Sequence, residues 1–221
     1  MKTDPLILIP AKEISVRCPK KNHELLEWTI NWLGPQKSNT VLITDSQELI
    51  DKANLLDVST WKTINYNGEF SCFNEYLKNN LFTGEDFIYL PLTQPLRETD
   101  LLDRILNADI LDYDFITSYT YLPDRSIFEI NENDEFNIQS TSGRKGCMCS
   151  NRKILDGAIY RIKIDHLTNT VRSQNQNKTF WDGKKGLVSN NMPFLDIDTV
   201  EDLVKFKNLL TLFNTSPSIL P

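Results

Sequence analysis

Leu6-Ile-Leu-Ile-Pro-Ala-Lys-Glu-Ile-Ser-Val-Arg-Cys-Pro-Lys-Lys-Asn22 decides how the rest of the chain is read. Leu6 to Ile9 is a short apolar run, ended by Pro10, of the kind that forms a buried strand. From His23 to Leu33 the apolar residues Leu25, Leu26, Ile30 and Leu33 recur at helical spacing, and Gly34-Pro35 closes the pattern. The unit is therefore strand, loop, helix, and its loop carries four cations, Lys12, Arg17, Lys20 and Lys21. In parallel α/β sheets ligands gather beyond the carboxyl ends of strands. A cationic loop at that place suits an anion such as a polyphosphate. Charge runs are also common on solvated loops, and both readings stay open on spacing alone.

The same alternation continues outward. Val41-Leu-Ile43 predicts a second strand, and Ser46 caps a helix from Gln47 to Leu56 with Leu49, Ile50 and Ala53 on one face. Trp61 to Tyr66 predicts a third strand, Phe70 to Leu81 a helix, Phe87 to Leu90 a fourth strand, Thr99 to Leu106 a helix, and Asp114 to Tyr121 a fifth strand. Strands separated by helices of this length imply an α/β chain, a three-layer αβα sandwich around a mostly parallel sheet. Pro123 to Cys149 breaks the pattern with weak alternation in Ile127-Phe-Glu-Ile130 and Phe136-Asn-Ile138, and reads as a hairpin excursion. Gly157 to Ile164 returns to strand, Asn169 to Lys185 reads as a polar loop, and Phe194 to Asp198 as a last short strand. Thr199 caps a closing helix through Leu212, with Glu201 and Asp202 in its favourable first turn. The tail from Asn214 to Pro221 reads as frayed.

Composition bounds the function. With 221 residues, 40% of them hydrophobic, the chain can bury a substantial core as one domain, residues 1–221. The formal net charge of -6 disfavours binding to a nucleic-acid backbone. Eight glycines are about half the usual frequency. All lie at or after Gly34, which excludes a Walker A loop or a Rossmann glycine fingerprint at the first turn. No run of 18 apolar residues or signal-peptide core is seen, so a cytoplasmic protein without a membrane span is expected. Cys18, Cys72, Cys147 and Cys149, with only His23 and His166, do not make a zinc pattern and read as reduced structural thiols.

Four segments could carry chemistry. The first is Ile9 to Asn22. The second is Phe87-Ile-Tyr-Leu-Pro-Leu-Thr-Gln-Pro-Leu-Arg97, in isolation an ordinary strand-to-helix turn. The third is Asp156-Gly-Ala-Ile-Tyr160, where Gly157 marks a close backbone approach or a bulge, and where Tyr160 also reads as a core aromatic. The fourth is Phe194-Leu-Asp-Ile-Asp-Thr-Val-Glu-Asp-Leu203. Asp196 and Asp198, at i and i+2 on an extended segment, point the same way and suit Mg²⁺. A helix N-terminus explains Thr199, Glu201 and Asp202 well, and Asp196, three positions before the cap, less well.

In this order the segments resemble the signatures of the acylneuraminate cytidylyltransferases, the CMP-sialic acid synthetase family. Against I-P-A-R-G-G-S-x-x-x-P-x-K-N, this sequence keeps Ile9, Pro10, Ala11, Ser15, Pro19, Lys21 and Asn22, with Lys12 for Arg and Glu13 and Ile14 for the two glycines. Thr93, Pro95, Leu96 and Arg97 match L-Q-P-T-S-P-L-R, where Pro91 replaces the family Gln and Gln94 the Ser. Asp156 to Tyr160 is similar to N-G-A-I/F-Y, with Asp156 for Asn. The run Asp196-Ile-Asp-Thr-Val-Glu-Asp-Leu203 matches D-I-D-T-x-x-D-L throughout. The likeness spans about residues 5 to 205 and is poor between about Asp57 and Glu85.

The resemblance implies a nucleotide-diphospho-sugar transferase fold and transfer of CMP from CTP to an acid sugar, a sialic-acid-like nonulosonate, with release of pyrophosphate. It implies Lys21, Lys12 and Arg17 as catalytic cations, Ala11, Ser15 and Asn22 on the nucleotide, Arg97 and Tyr160 on the sugar, and Asp196 and Asp198 on Mg²⁺. It also implies a homodimer, with residues 123–150 reaching to the partner. Glu13 sets a negative charge in the phosphate loop, and Ile14 does not suit a positive φ. A same-fold nucleotidyltransferase acting on another sugar acid or a phosphonate, and a non-catalytic sugar- or protein-binding relative, are the alternatives.

Overall fold

A computed structural model describes residues 5–64, 66–121, 128–130, 136–138 and 153–215. Nine strands and seven helices are found there: β1 (Ile7–Ala11), α1 (Lys21–Leu33), β2 (Thr40–Thr44), α2 (Gln47–Leu55), β3 (Ser59–Lys62), α3 (Glu69–Asn79), β4 (Asp86–Tyr89), α4 (Leu101–Asn107), β5 (Phe115–Tyr121), β6 (Phe128–Ile130), β7 (Phe136–Ile138), β8 (Lys153–Lys163), α5 (Ile164–Arg172), α6 (Gln176–Asp182), β9 (Lys185–Ser189) and α7 (Val200–Thr215).

Seven strands form one sheet in the order β3-β2-β1-β4-β8-β5-β9. β8 runs antiparallel to both of its neighbours, and the remaining pairs are parallel. Alternation along β1 shows why the sheet is covered twice. Ile7 and Ile9 enter a core with Leu25, Leu26 and Ile30 of α1, Leu101 and Ile105 of α4, and Leu203 and Phe206 of α7. Leu8 enters the opposite core with Phe73 and Leu77 of α3, Leu167 of α5 and Phe180 of α6. Period-two side chains on a strand require this when both faces are buried. The αβα sandwich is thus the observed architecture. Among the described residues no helix is long and apolar enough to cross a membrane.

Local signals set several boundaries. Ser46 accepts from the Leu49 N–H at 3.4 Å at the start of α2. Gly34 ends α1 with φ 52°, a conformation disfavoured for residues with a Cβ. Gly157, with φ 63°, lies at a register shift between β5 and β8, and a Cβ there would meet the Tyr160 hydroxyl at 2.9 Å.

Four elements differ from expectation. The third strand is Ser59–Lys62, earlier than Trp61 to Tyr66, because its register on β2 ends with Thr44 opposite Lys62. The polar stretch Asn169 to Lys185 is not a loop. It completes α5 and forms α6, whose polar residues face water around a few buried anchors, Leu167, Thr170 and Phe180. Asn175 caps α6 by accepting from the Lys178 N–H at 3.0 Å. β9 follows as a half-exposed edge strand on β5, with too little apolar alternation to stand out. Phe194 to Asp198 is not a strand: the Ile197 N–H donates to the Thr93 carbonyl at 2.8 Å, a loop, rather than to the sheet. Within the excursion, β6 and β7 pair antiparallel as a hairpin. Its other residues, Cys147 and Cys149 among them, and residues 216–221 of the tail lie outside the described residues. Cys18 and Cys72 are free and buried.

Candidate active site

The cation-rich loop and the two-carboxylate segment meet at the carboxyl end of β1. Lys21 opens α1 and is buried. Its Nζ donates to the Ile197 carbonyl at 2.6 Å and to Asp198 Oδ1 at 3.3 Å. Arg17 Nη2 reaches Asp198 Oδ2 at 3.0 Å. One carboxylate is thus held between two cations that lie about 180 positions earlier in the chain. Lys20, just before Lys21, adopts a left-handed backbone with φ 64°, uncommon for a residue with a Cβ.

The rest of the loop is tied through its backbone. The Glu13 N–H donates to Asp45 Oδ1 at 2.7 Å, joining the loop to the end of β2. Asn22 Nδ2 donates to the Lys12 carbonyl at 2.8 Å. Ile14 and Val16 stand 71% and 87% exposed. Among the described residues, the non-glycine positions with positive φ are Lys20, Asp57 and Leu81. Glu13 and Ile14 therefore occupy backbone conformations that do not need glycine, and the Glu13 carboxylate stands at the surface.

Asp196 is half-buried. Burial, then the charge of Asp198, raises its carboxyl above the ordinary range, against a hydrogen bond from Thr93 and the charge of Lys21. After it, α7 begins with a reciprocal cap. The Asp202 N–H donates to Thr199 Oγ1 at 3.3 Å, while Asp202 Oδ2 accepts from the Thr199 N–H at 3.1 Å and its hydroxyl at 2.8 Å. These bonds, with Lys205, hold the Asp202 carboxyl well below its usual range.

The loop after β4, residues 91–98, forms a second wall. It has no regular structure, yet side chains from α1 and from the loop itself satisfy its carbonyls. Trp28 Nε1 donates to Pro95 O at 2.9 Å and Trp32 Nε1 to Glu98 O at 3.1 Å. Arg97, 4% exposed, donates to Pro91 O and, through Nε, to Ala158 O at 2.8 Å, with its guanidinium over the Trp32 ring. Burial lowers this guanidinium to about 9, and the nearby Asp156 opposes the shift, so it is a cation at neutral pH. Arg97 thus fastens the loop to β8.

On β8, Asp156 is buried and accepts from Ser118 Oγ at 2.5 Å, the Ala158 N–H at 3.2 Å and Asn190 Nδ2 at 2.6 Å. Tyr160 is buried and stacks on Tyr89 with centroids 5.2 Å apart. Burial and Asp156 push its phenol up to about 12.

The structure therefore brings Lys21, Arg17, Asp196 and Asp198 together. Ala11 is buried at the end of β1, Ser15 is half-buried, and Lys12 is exposed on the loop. Arg97 and Tyr160 lie on the β8 side, in the interior. Sequence reading passed over Trp28, Trp32 and Asn190. The tryptophans read simply as helix residues, and Asn190 follows a strand that went unseen.

Two cations at one strand end can neutralise and orient a phosphate chain, whereas the two carboxylates beside them suit a divalent cation. The αβα sandwich around a seven-stranded, mostly parallel sheet is a fold that this chain shares with solved structures. The structure titled CMP:2-keto-3-deoxy-manno-octonic acid synthetase complexed with CTP is 15% identical with a TM-score of 0.67, over 95% of this chain and 99% of that one. A 4-diphosphocytidyl-2C-methyl-D-erythritol synthase from Anaerococcus prevotii is 13% identical with a TM-score of 0.63, over 95% and 100%. A cytidylyltransferase from Leptospira borgpetersenii is 16% identical with a TM-score of 0.61, over 97% and 95%. No protein-family model and no curated protein matches the sequence.

Proposed function

We propose that this chain is a cytoplasmic cytidylyltransferase that transfers CMP from CTP to a hydroxyl of an acid sugar of the sialic-acid-like or octulosonate type. The observation that carries this reading is the pairing of Lys21 and Arg17 with Asp198, beside Asp196, at the carboxyl end of β1. The structural neighbours support it, since they include a synthetase complexed with CTP and a cytidylyltransferase.

Lys21 and Arg17 would turn from Asp198 to the triphosphate, and Lys12 would add charge from the exposed loop. Lys12, as a point charge, lacks the fork that an arginine offers a phosphate. Asp196 and Asp198 fit Mg²⁺, which takes one or two carboxylates and completes its shell with phosphate oxygens and water. Bound there, the ion would offset charge on the phosphates. The acceptor hydroxyl oxygen forms a bond to the α-phosphorus, the bond from that phosphorus to the bridging oxygen breaks, and pyrophosphate leaves as the hydroxyl proton passes to solvent. Arg97 acts on the acceptor indirectly, by holding residues 91–98, and Tyr160 forms part of the wall behind it. The same reading includes a homodimer assembled through residues 123–150, which sedimentation tests.

The test is incubation with CTP, Mg²⁺ and a panel including 2-keto-3-deoxy-manno-octonic acid and N-acetylneuraminic acid, following pyrophosphate. Release with one of them is the expected result. No release with any, together with no CTP binding by calorimetry, overturns the reading. The burial of Arg97 favours a second one, the same transfer to a different sugar acid or a phosphonate, since its guanidinium is engaged by main-chain carbonyls.

A further inference from the structure

Asn190 closes β9 at a point where three parts of the site converge. It is 1% exposed, and its amide is fully used. Nδ2 donates to Asp156 Oδ2 at 2.6 Å and to the Leu96 carbonyl at 3.1 Å, and Oδ1 accepts from the Glu98 N–H at 3.2 Å. No other amide arrangement satisfies these partners, because two are acceptors and one is a donor.

The contacts join what would otherwise move separately. Leu96 and Glu98 belong to the loop whose Thr93 carbonyl accepts from the Ile197 N–H, next to Asp196 in the chain. Asp156 precedes Gly157 at the β8 bulge, beside the Tyr160 hydroxyl. Asn190 thus spans from the carboxylate segment, through residues 93–98, to the strand that carries Tyr160. Both ends are buried, so a lost bond leaves an unpaired carbonyl and an under-paired carboxylate that water does not easily reach.

We propose that Asn190 is a positioning residue, fixing the distance between the phosphate side and the acceptor side of the site through its bonds to Asp156, Leu96 and Glu98. It touches neither nucleotide nor acceptor. The inference rests on the function proposed above, with Tyr160 and residues 91–98 on the acceptor side.

The test is Asn190→Ala, with CTP affinity read by calorimetry and acceptor kinetics read with the sugar that the wild type turns over. Expected is a fall in kcat/KM for the acceptor of roughly ten- to a hundredfold, the scale of a small misplacement of reacting groups, with the Kd for CTP within about twofold of wild type. Unchanged acceptor kinetics, or a CTP affinity that falls by the same factor, overturns the inference. If Asn190→Ala does not fold, Asn190→Asp, which keeps the acceptor for the Glu98 N–H and loses both donors, is read in the same two assays. A fall in acceptor kcat/KM with the Kd for CTP unchanged supports the inference, and unchanged acceptor kinetics or an equal fall in CTP affinity overturns it. A wild-type protein that binds no CTP removes the proposed function itself. CTP binding and turnover without an Asn190 effect remove only the inference.

Discussion

Two loops frame the site, and they are built in opposite ways. Residues 12–20 are largely exposed and charged, and hold on through few bonds: Glu13 to Asp45, Asn22 to Lys12, and Arg17 to Asp198. Residues 91–98 are mostly buried, and indole, guanidinium and amide groups from α1, the loop itself and the end of β9 donate to their carbonyls. Irregular backbone away from water must find partners in side chains, which fixes it in one place. An exposed loop held by ion pairs in high dielectric can exchange partners at little cost. The first loop is therefore suited to trading an internal carboxylate for a phosphate, and the second to staying still while it does so.

Breaking the meeting point of the loops has the largest expected effect. Asp198→Ala removes the partner of Arg17 and Lys21. Turnover should fall at least about a hundredfold while circular dichroism stays native. Unchanged pyrophosphate release would show that the carboxylate is not part of the chemistry. Arg97→Ala should cost roughly 2–4 kcal/mol in urea unfolding, because it strips two buried carbonyls of a charged donor and empties space beside Trp32. Arg17→Ala, in the other loop, should stay within about 0.5 kcal/mol. Equal costs would erase the contrast between the loops.

Thr199→Ala should lose about 1 kcal/mol as a missing cap. Its partner sets a pH signature. The Asp202 carboxyl is depressed in the folded state, so its contribution is present above the ordinary value of 3.8 and is lost as pH falls below it. A melting-temperature gap between wild type and Asp202→Asn should persist from pH 7 to about 4 and close in stronger acid. The smallest effect is expected from Glu13→Gly. It removes an exposed charge and keeps the backbone bond to Asp45, so CTP should bind only a few-fold more tightly.

Most of the sandwich was legible because its strands and helices announce themselves by period. Leu25, Leu26, Ile30 and Leu33 have no other economical arrangement. The misses have a common physical origin. α6 is anchored by Phe180 alone, and β9 lies at an edge with one face wet, so neither needs a strong apolar pattern. The candidate residues were picked where chemistry demands particular residue types, and the structure brings two of them, Lys21 and Asp198, into contact. The site was not legible where a residue's worth lies in what it holds. Nothing about Trp28 or Asn190 in one dimension reveals a carbonyl sixty to ninety positions away.

The bond from Arg17 to Asp198 and that from Lys21 to Ile197 also impose an order in time. On a ribosome adding roughly 5–20 residues per second, the loop after β1 emerges about 10–35 s before the segment that completes it. Through that interval the growing polypeptide displays Lys21 and Arg17 without the carboxylate that pairs them in the folded chain. The arrangement of the first loop is therefore completed only when the segment just before α7 arrives, which makes an early loop wait on one of the last parts of the fold.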